Sequence, residues 1–190
     1  MSASIEIAVA STVEHFAQIL SLQRRYHVAV LPDDVQSREG FLFVEHTLPL
    51  LARMAAASPQ AIALHDGRVV GYCLSLPPAL QADVPVLAPM FEQFGKCEWR
   101  GRPVSEQRYV VGGQVCVDRA YRGRGLLARL YRRLGTEVAA GCELCVTEIA
   151  TRNGVSVRAH GKMGFEAIGT YSHGDEDWVI VAWELGRERS

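Results

Sequence analysis

Apolar positions along the chain change period several times, and each change marks an element. Ile5–Ala10 alternates over a short run and predicts an opening strand. Val13, Phe16, Ala17 and Leu20 recur at helical spacing behind Ser11-Thr12-Val13-Glu14, a Ser-x-x-Glu capping signature, so Thr12–Tyr26 reads as an amphipathic helix. A second helical region is expected over about Ser37–Ala57, interrupted at Pro49. Ala61–His65 and Val69–Leu76 flank Asp66-Gly67, the turn chemistry of a two-residue hairpin. The stretch 77–107 then loses all period and carries five prolines with Phe91, Phe94 and Trp99. A short helix is expected near Pro89–Phe94. So long an insertion in a compact domain reads as an ordered lid or pocket wall. Its aromatics either line an acceptor pocket or pack the insertion onto the sheet.

Regular patterning returns at Arg108–Val117, a strand whose Gly112-Gly113 pair signals a bulge. Gly125–Ala140 is a helix with Leu127, Leu130, Tyr131, Leu134 and Val138 on one face. Leu144–Ile149 is rich in strand formers, and Val155–Met163 is a short helix stopped by Gly164. Gly169–Ser172 and Asp177–Leu185 close the chain as a hairpin across His173-Gly174-Asp175. The order is α/β without internal repeats, and 190 residues suit one core, so residues 1–190 are expected to form a single domain.

Composition narrows the function classes. Twenty basic residues against 21 acidic ones leave no excess charge for nucleic acid or a membrane surface. No apolar run approaches the roughly 20 residues of a membrane helix. Met1–Ala10 lacks the basic flank of a signal peptide, so a cytoplasmic location is expected. Five cysteines form no disulfide-like framework, and Cys142-x-x-Cys145 has no second pair to complete a metal site. His15, His27, His46, His65 and His173 share no ligand spacing, so no metal is expected.

The segment Val115–Leu127 carries the chemistry. It runs from strand through Arg122-Gly123-Arg124-Gly125 into a helix. The first turn of a helix offers unpaired N–H groups and the positive end of its dipole. Glycines let the backbone approach a phosphate, and the two arginines add fixed charge. The Walker pattern fails because no Gly-Lys-Ser/Thr follows, and the dinucleotide fingerprint lacks its third glycine and acidic partner.

Arg122-Gly123-Arg124-Gly125-Leu126 after Val115–Val117 resembles the pyrophosphate-binding motif Arg/Gln-x-x-Gly-x-Gly/Ala of the GNAT superfamily of acyl-CoA N-acyltransferases. Asn153, Ser156, His160, Lys162 and Gly164-Phe165 match a second run of that superfamily at the same intervals. Two motifs in order, one helix and one strand apart, are far more specific than either alone. This chain departs at Leu127, where the superfamily prefers Gly or Ala, and at His160, where it often has tyrosine.

The resemblance implies a mixed, mostly antiparallel sheet of about six to seven strands with helices on both faces, core motifs at 108–165, and acetyl-CoA or another acyl-CoA as co-substrate. It implies that Val115, Cys116 and Val117 meet the pantetheine arm, which requires their strand to splay from Leu144–Ile149. Arg122, Gly123, Arg124, Gly125, Leu126 and Leu127 would hold the pyrophosphate, and Asn153 would touch the cofactor. The reaction implied is direct acyl transfer to a primary amine of a small molecule or a protein, in a ternary complex. An alkylammonium titrates near 10.4, so the transfer needs a base, and the leaving thiolate needs an acid. Glu148, five residues before Asn153, is the expected base; its alternative is a structural carboxylate paired with Arg152. His160 is the expected acid, since Asn153, Ser156 and His160 share one helix face; its alternative is a partly exposed histidine that hydrogen-bonds locally. A non-catalytic acyl-CoA-binding module of the same fold is the competing expectation. Acceptor, acyl chain length and oligomeric state, a dimer included, are not written in the chain.

Overall fold

The computed structural model describes residues 4–186. The elements run β1 (Glu6–Val9), α1 (Val13–Arg25), α2 (Asp33–Glu39), α3 (Leu48–Ala57), β2 (Ala61–His65), β3 (Arg68–Leu76), α4 (Ala88–Phe94), β4 (Glu98–Trp99), β5 (Arg102–Pro103), β6 (Tyr109–Val117), α5 (Leu126–Val138), β7 (Leu144–Ala150), α6 (Gly154–Met163), β8 (Glu166–His173) and β9 (Glu176–Glu184). Seven strands form one sheet in the order β1-β2-β3-β6-β7-β9-β8, while β4 and β5 make a separate ribbon. Every pair in the large sheet is antiparallel except β6 with β7.

Alternation along the strands builds two cores. On β3, Tyr72 and Leu74 face one side with Phe16 and Ile19 of α1 and Leu51 and Met54 of α3. Val70 and Cys73 face the other, with Leu126, Leu130 and Leu134 of α5. Full burial of such a side chain contributes about 1.5–3 kcal/mol. The five buried side chains of the α5 face, Tyr131 and Val138 among them, therefore hold that helix, and the loop ahead of it, in one orientation.

Two local expectations are corrected and a third alternative is decided. The cap of α1 is Thr12, not Ser11: its hydroxyl accepts from His15 N at 3.1 Å, and Glu14 turns to accept from Gln18. The helical region 37–57 is instead two helices with extended chain between them. Gly40 ends α2, and Thr47 caps α3 with Pro49 in its first turn, where no N–H is required. Backbone bonds to Tyr26 and Val28 draw Leu42 out of any helix. The insertion 77–107 is ordered, and of the two alternatives for Phe91, Phe94 and Trp99 it is packing against the sheet that holds.

Candidate active site

The strands β6 and β7 pair only from Tyr109–Val111 to Leu144–Val146. On its other side β6 slips register against β3 between Leu74 and Ser75, leaving Gly113 as the extra residue of a bulge. The Thr147 hydroxyl donates to Gly112 O at 2.7 Å at the point where the two strands part. Beyond it they diverge into a wedge, with Gln114–Val117 on one edge and Glu148–Ala150 on the other. Gln114 is fastened from behind: it receives hydrogen bonds from Gln23 and Tyr72 at 2.6 Å each and donates to Val44 O.

Two cavities open from the wedge. The first, of about 320 Å³, follows Val115, Cys116 and Val117 to the loop before α5. Gly123 and Gly125 sit there at φ +73° and +69°, and a Cβ on either would meet open space; they serve the turn, not a tight fit. Gly125 is the N-cap of α5 and no side chain caps that helix, so its first-turn amides face the cavity mouth unclaimed by side chains. Leu126 is buried in the core beneath, and Leu127 forms part of the cavity wall.

The two arginines of the loop differ. Arg122 lines the cavity while its guanidinium donates to Val117 O and Glu39 O and lies 5.0 Å from the Tyr26 ring centre. It buttresses the loop as much as it charges it. Arg124 is exposed, rests over Tyr121, and does not line the cavity.

Asn153 caps α6, accepting from Ser156 N, and its Nδ2 donates to Phe41 O at 3.2 Å. Gly40 is required beside it, because a Cβ there would stand 2.9 Å from Asn153 Oδ1. Asn153 is therefore a strut between α6 and the segment 40–44, as well as a wall of the cavity.

The second cavity, of about 280 Å³, lies on the Glu148 side. The two cavities share Phe41, Leu42, Val115, Asn153, Ser156 and His160, so they meet along that line. Glu148 Oε2 accepts a 2.5 Å hydrogen bond from the Tyr171 hydroxyl. Burial pushes its carboxyl from 4.5 up to about 7, and the tyrosine bond partly opposes this. Arg152, the alternative partner, is engaged elsewhere: it donates to Glu176 and Gln36 and stacks over Phe41 at 4.1 Å.

His160 is buried with both ring nitrogens engaged. Nδ1 lies 2.9 Å from Ser156 O and Nε2 lies 2.9 Å from the Tyr131 hydroxyl. A proton on Nδ1 donates to that carbonyl, and Nε2 then accepts from Tyr131. Burial lowers the imidazole below its ordinary range and raises the Tyr131 phenol well above its own, so both are neutral at pH 7. Cys116, on the strand, is raised to about 12 by burial and has no thiolate to offer as a nucleophile.

Sequence reasoning missed Tyr131, Tyr171 and Phe41–Val44 as parts of the site. Tyr131 falls in a leucine stripe; a lone hydroxyl in that stripe was the available signal. Segment 41–44 was concealed by a helical period that its glycine and backbone bonds override.

A cleft with a bare helix mouth at one end and a buried carboxylate near neutrality at the other has the plan of a two-substrate transferase. The sequence matches the acetyltransferase (GNAT) family over residues 16–165, and the chain belongs to that family, whose acyl donor is acetyl-CoA. Its fold is similar to that of an N-acetyltransferase from Staphylococcus aureus Mu50, at 18% identity and TM-score 0.62 over 96% of this chain and 99% of that one. It is similar to yncA from Salmonella typhimurium with its cofactor acetyl-CoA, at 18% identity and TM-score 0.60 over 98% and 96%. A chain of the NatC complex bound to Gag peptide and CoA aligns at 14% identity and TM-score 0.64 over 96% and 99%. Likeness at these identities establishes the shared fold. No curated protein sequence matches significantly. Among the described residues no helix is long and apolar enough to cross a membrane.

Proposed function

We propose that the chain transfers an acetyl group from acetyl-CoA to a primary amine by direct attack, with both substrates bound in the wedge. The observation that carries this is the junction of the two cavities, which sets an anion-binding helix mouth and Glu148 on opposite sides of Val115 and His160. The fit to the cofactor rests on the uncapped first turn of α5 and the two left-handed glycines before it. The amides of Gly123–Leu127 would bind the pyrophosphate, Val115–Val117 the pantetheine arm as an added strand, and Asn153 the arm near α6. Arg122 reinforces the loop, and Arg124 would supply charge at its rim. Acetyl-CoA supplies the activated acyl group.

Glu148 accepts the amine proton; a carboxyl poised near 7 is half ionised at neutral pH and matched to that task. As the amine nitrogen bonds the acetyl carbon and the C–S bond breaks, the leaving thiolate takes the phenolic proton of Tyr131, whose hydroxyl His160 Nε2 orients, and the proton taken up by Glu148 returns through solvent. His160 orients its pair with Tyr131 through Ser156 O. The engagement of both imidazole nitrogens within the protein also favours a second reading, a binding module that no longer turns over. Free-thiol release from acetyl-CoA, followed with an amine panel and paired with calorimetry of CoA binding, separates the two. CoA binding without acceptor-dependent thiol release would overturn the catalytic reading. No binding at all would overturn both.

A further inference from the structure

The second cavity, where the amine would enter, carries one carboxylate and no lysine or arginine among the described residues that line it. That carboxylate is Glu148. The remaining ionisable groups are His160 and Tyr131, tied to each other, Tyr171, tied to Glu148, and His173, exposed at the rim. Gln114, Thr147, Asn153 and Ser156 add uncharged polar groups, and apolar side chains close the wall from two directions. Phe43 and Trp178 pack with ring centres 4.9 Å apart on one side. The insertion contributes Val86, Leu87, Pro89 and Met90 on the other, and Val86 is 69% exposed, a large apolar side chain held at the opening.

We propose, on the acetyl-transfer reading above, that the acceptor is a small primary monoamine with an apolar body and no second charge. Glu148 can neutralise one ammonium. A second cation in this cavity would find no carboxylate, and an acceptor carboxylate would find no guanidinium or ammonium. An unpaired charge withdrawn from water is strongly disfavoured, and the apolar wall offers it no partner. The volume of about 280 Å³ gives room for a short alkyl or aryl body, so charge and not size must separate acceptors of equal length. The insertion supplies one side of that apolar wall, through Val86, Leu87, Pro89 and Met90.

The test uses the full chain, acetyl-CoA and three acceptors of matched length: hexylamine, hexamethylenediamine and ε-aminocaproate. Phenethylamine and a short peptide with a free N-terminus complete the panel. Hexylamine and phenethylamine should exceed the diamine, the amino acid and the peptide by at least about tenfold in kcat/KM. Val86→Asp, at an exposed wall position, should shift the ratio of diamine to hexylamine by about tenfold toward the diamine. A preference for the diamine, the amino acid or the peptide overturns the inference and leaves acetyl transfer standing. So does an unchanged ratio in the variant, whereas faster transfer from hexanoyl-CoA than from acetyl-CoA would give the cavity to the acyl chain and overturn both the inference and the choice of acetyl as the group transferred. Thiol release with none of these amines overturns the reading beneath it together with the inference.

Discussion

Glu148→Gln changes two quantities in opposite directions, which makes it the sharpest test of the site. Burial raises the Glu148 carboxyl from 4.5 to about 7. The folded protein thus holds that proton more tightly than the unfolded chain does. The associated stability is complete below the unfolded value and is lost as pH rises through about 7. At about 1.4 kcal/mol for each tenfold change in proton affinity, the whole loss is about 3 kcal/mol. Glutamine keeps the shape, cannot ionise, and still accepts from the Tyr171 hydroxyl. Urea unfolding should therefore find the variant more stable than the parent by up to about 3 kcal/mol near pH 9, and by only a small part of that near pH 5. Activity should move the other way, with kcat reduced on the order of 100-fold and KM for acetyl-CoA unchanged. The parent's rate should climb with pH through about 7 as the carboxylate forms. An equal stability increment at both pH values would refute the burial argument, and an undiminished kcat would remove Glu148 from the chemistry.

Gly125→Asp sets a carboxylate at the bare mouth of α5; CoA affinity measured by calorimetry should fall at least about 100-fold, and unchanged affinity would dismiss the phosphate site. Tyr131→Phe leaves His160 Nε2 without its donor. It should cost about 1–3 kcal/mol of stability and lower kcat with little change in KM, whereas a stability loss alone would make the pair structural. His160→Phe should reproduce the kcat loss, and its failure to add to Tyr131→Phe in the double variant would show the two acting as a unit. Asn153→Ala removes both the α6 cap and the strut to Phe41; a drop of about 1 kcal/mol by thermal unfolding with a raised KM for acetyl-CoA is expected, and an unmoved KM would limit Asn153 to capping.

Much of this molecule is legible in its residue order because the governing physics is local. A period of two or of 3.6 reports which face is buried, and Asp66-Gly67 needs only its own backbone to turn. The run Val115–Leu127 is likewise local: strand, glycine loop and helix mouth are contiguous, so the anion site proposed there can be argued without knowing what lies around it. Asn153, Ser156 and His160 fall on one helix face by counting alone.

Other properties belong to the assembled fold. Only the sheet order, with β9 carried in beside β7, could reveal that Glu148 would bond to Tyr171 and not to Arg152, which lies four positions away but stacks on Phe41. The same holds for Tyr131 and His160, on two helices whose meeting depends on packing over β6 and β7. Segment 41–44 carries a helical pattern of apolar residues, yet its carbonyls and amides are claimed by Tyr26, Val28 and Asn153 across the fold. Burial, which sets the proton affinity of Glu148 and empties the acceptor cavity of charge, is a sum over every neighbour in space, and neighbours in space are what a linear sequence does not state.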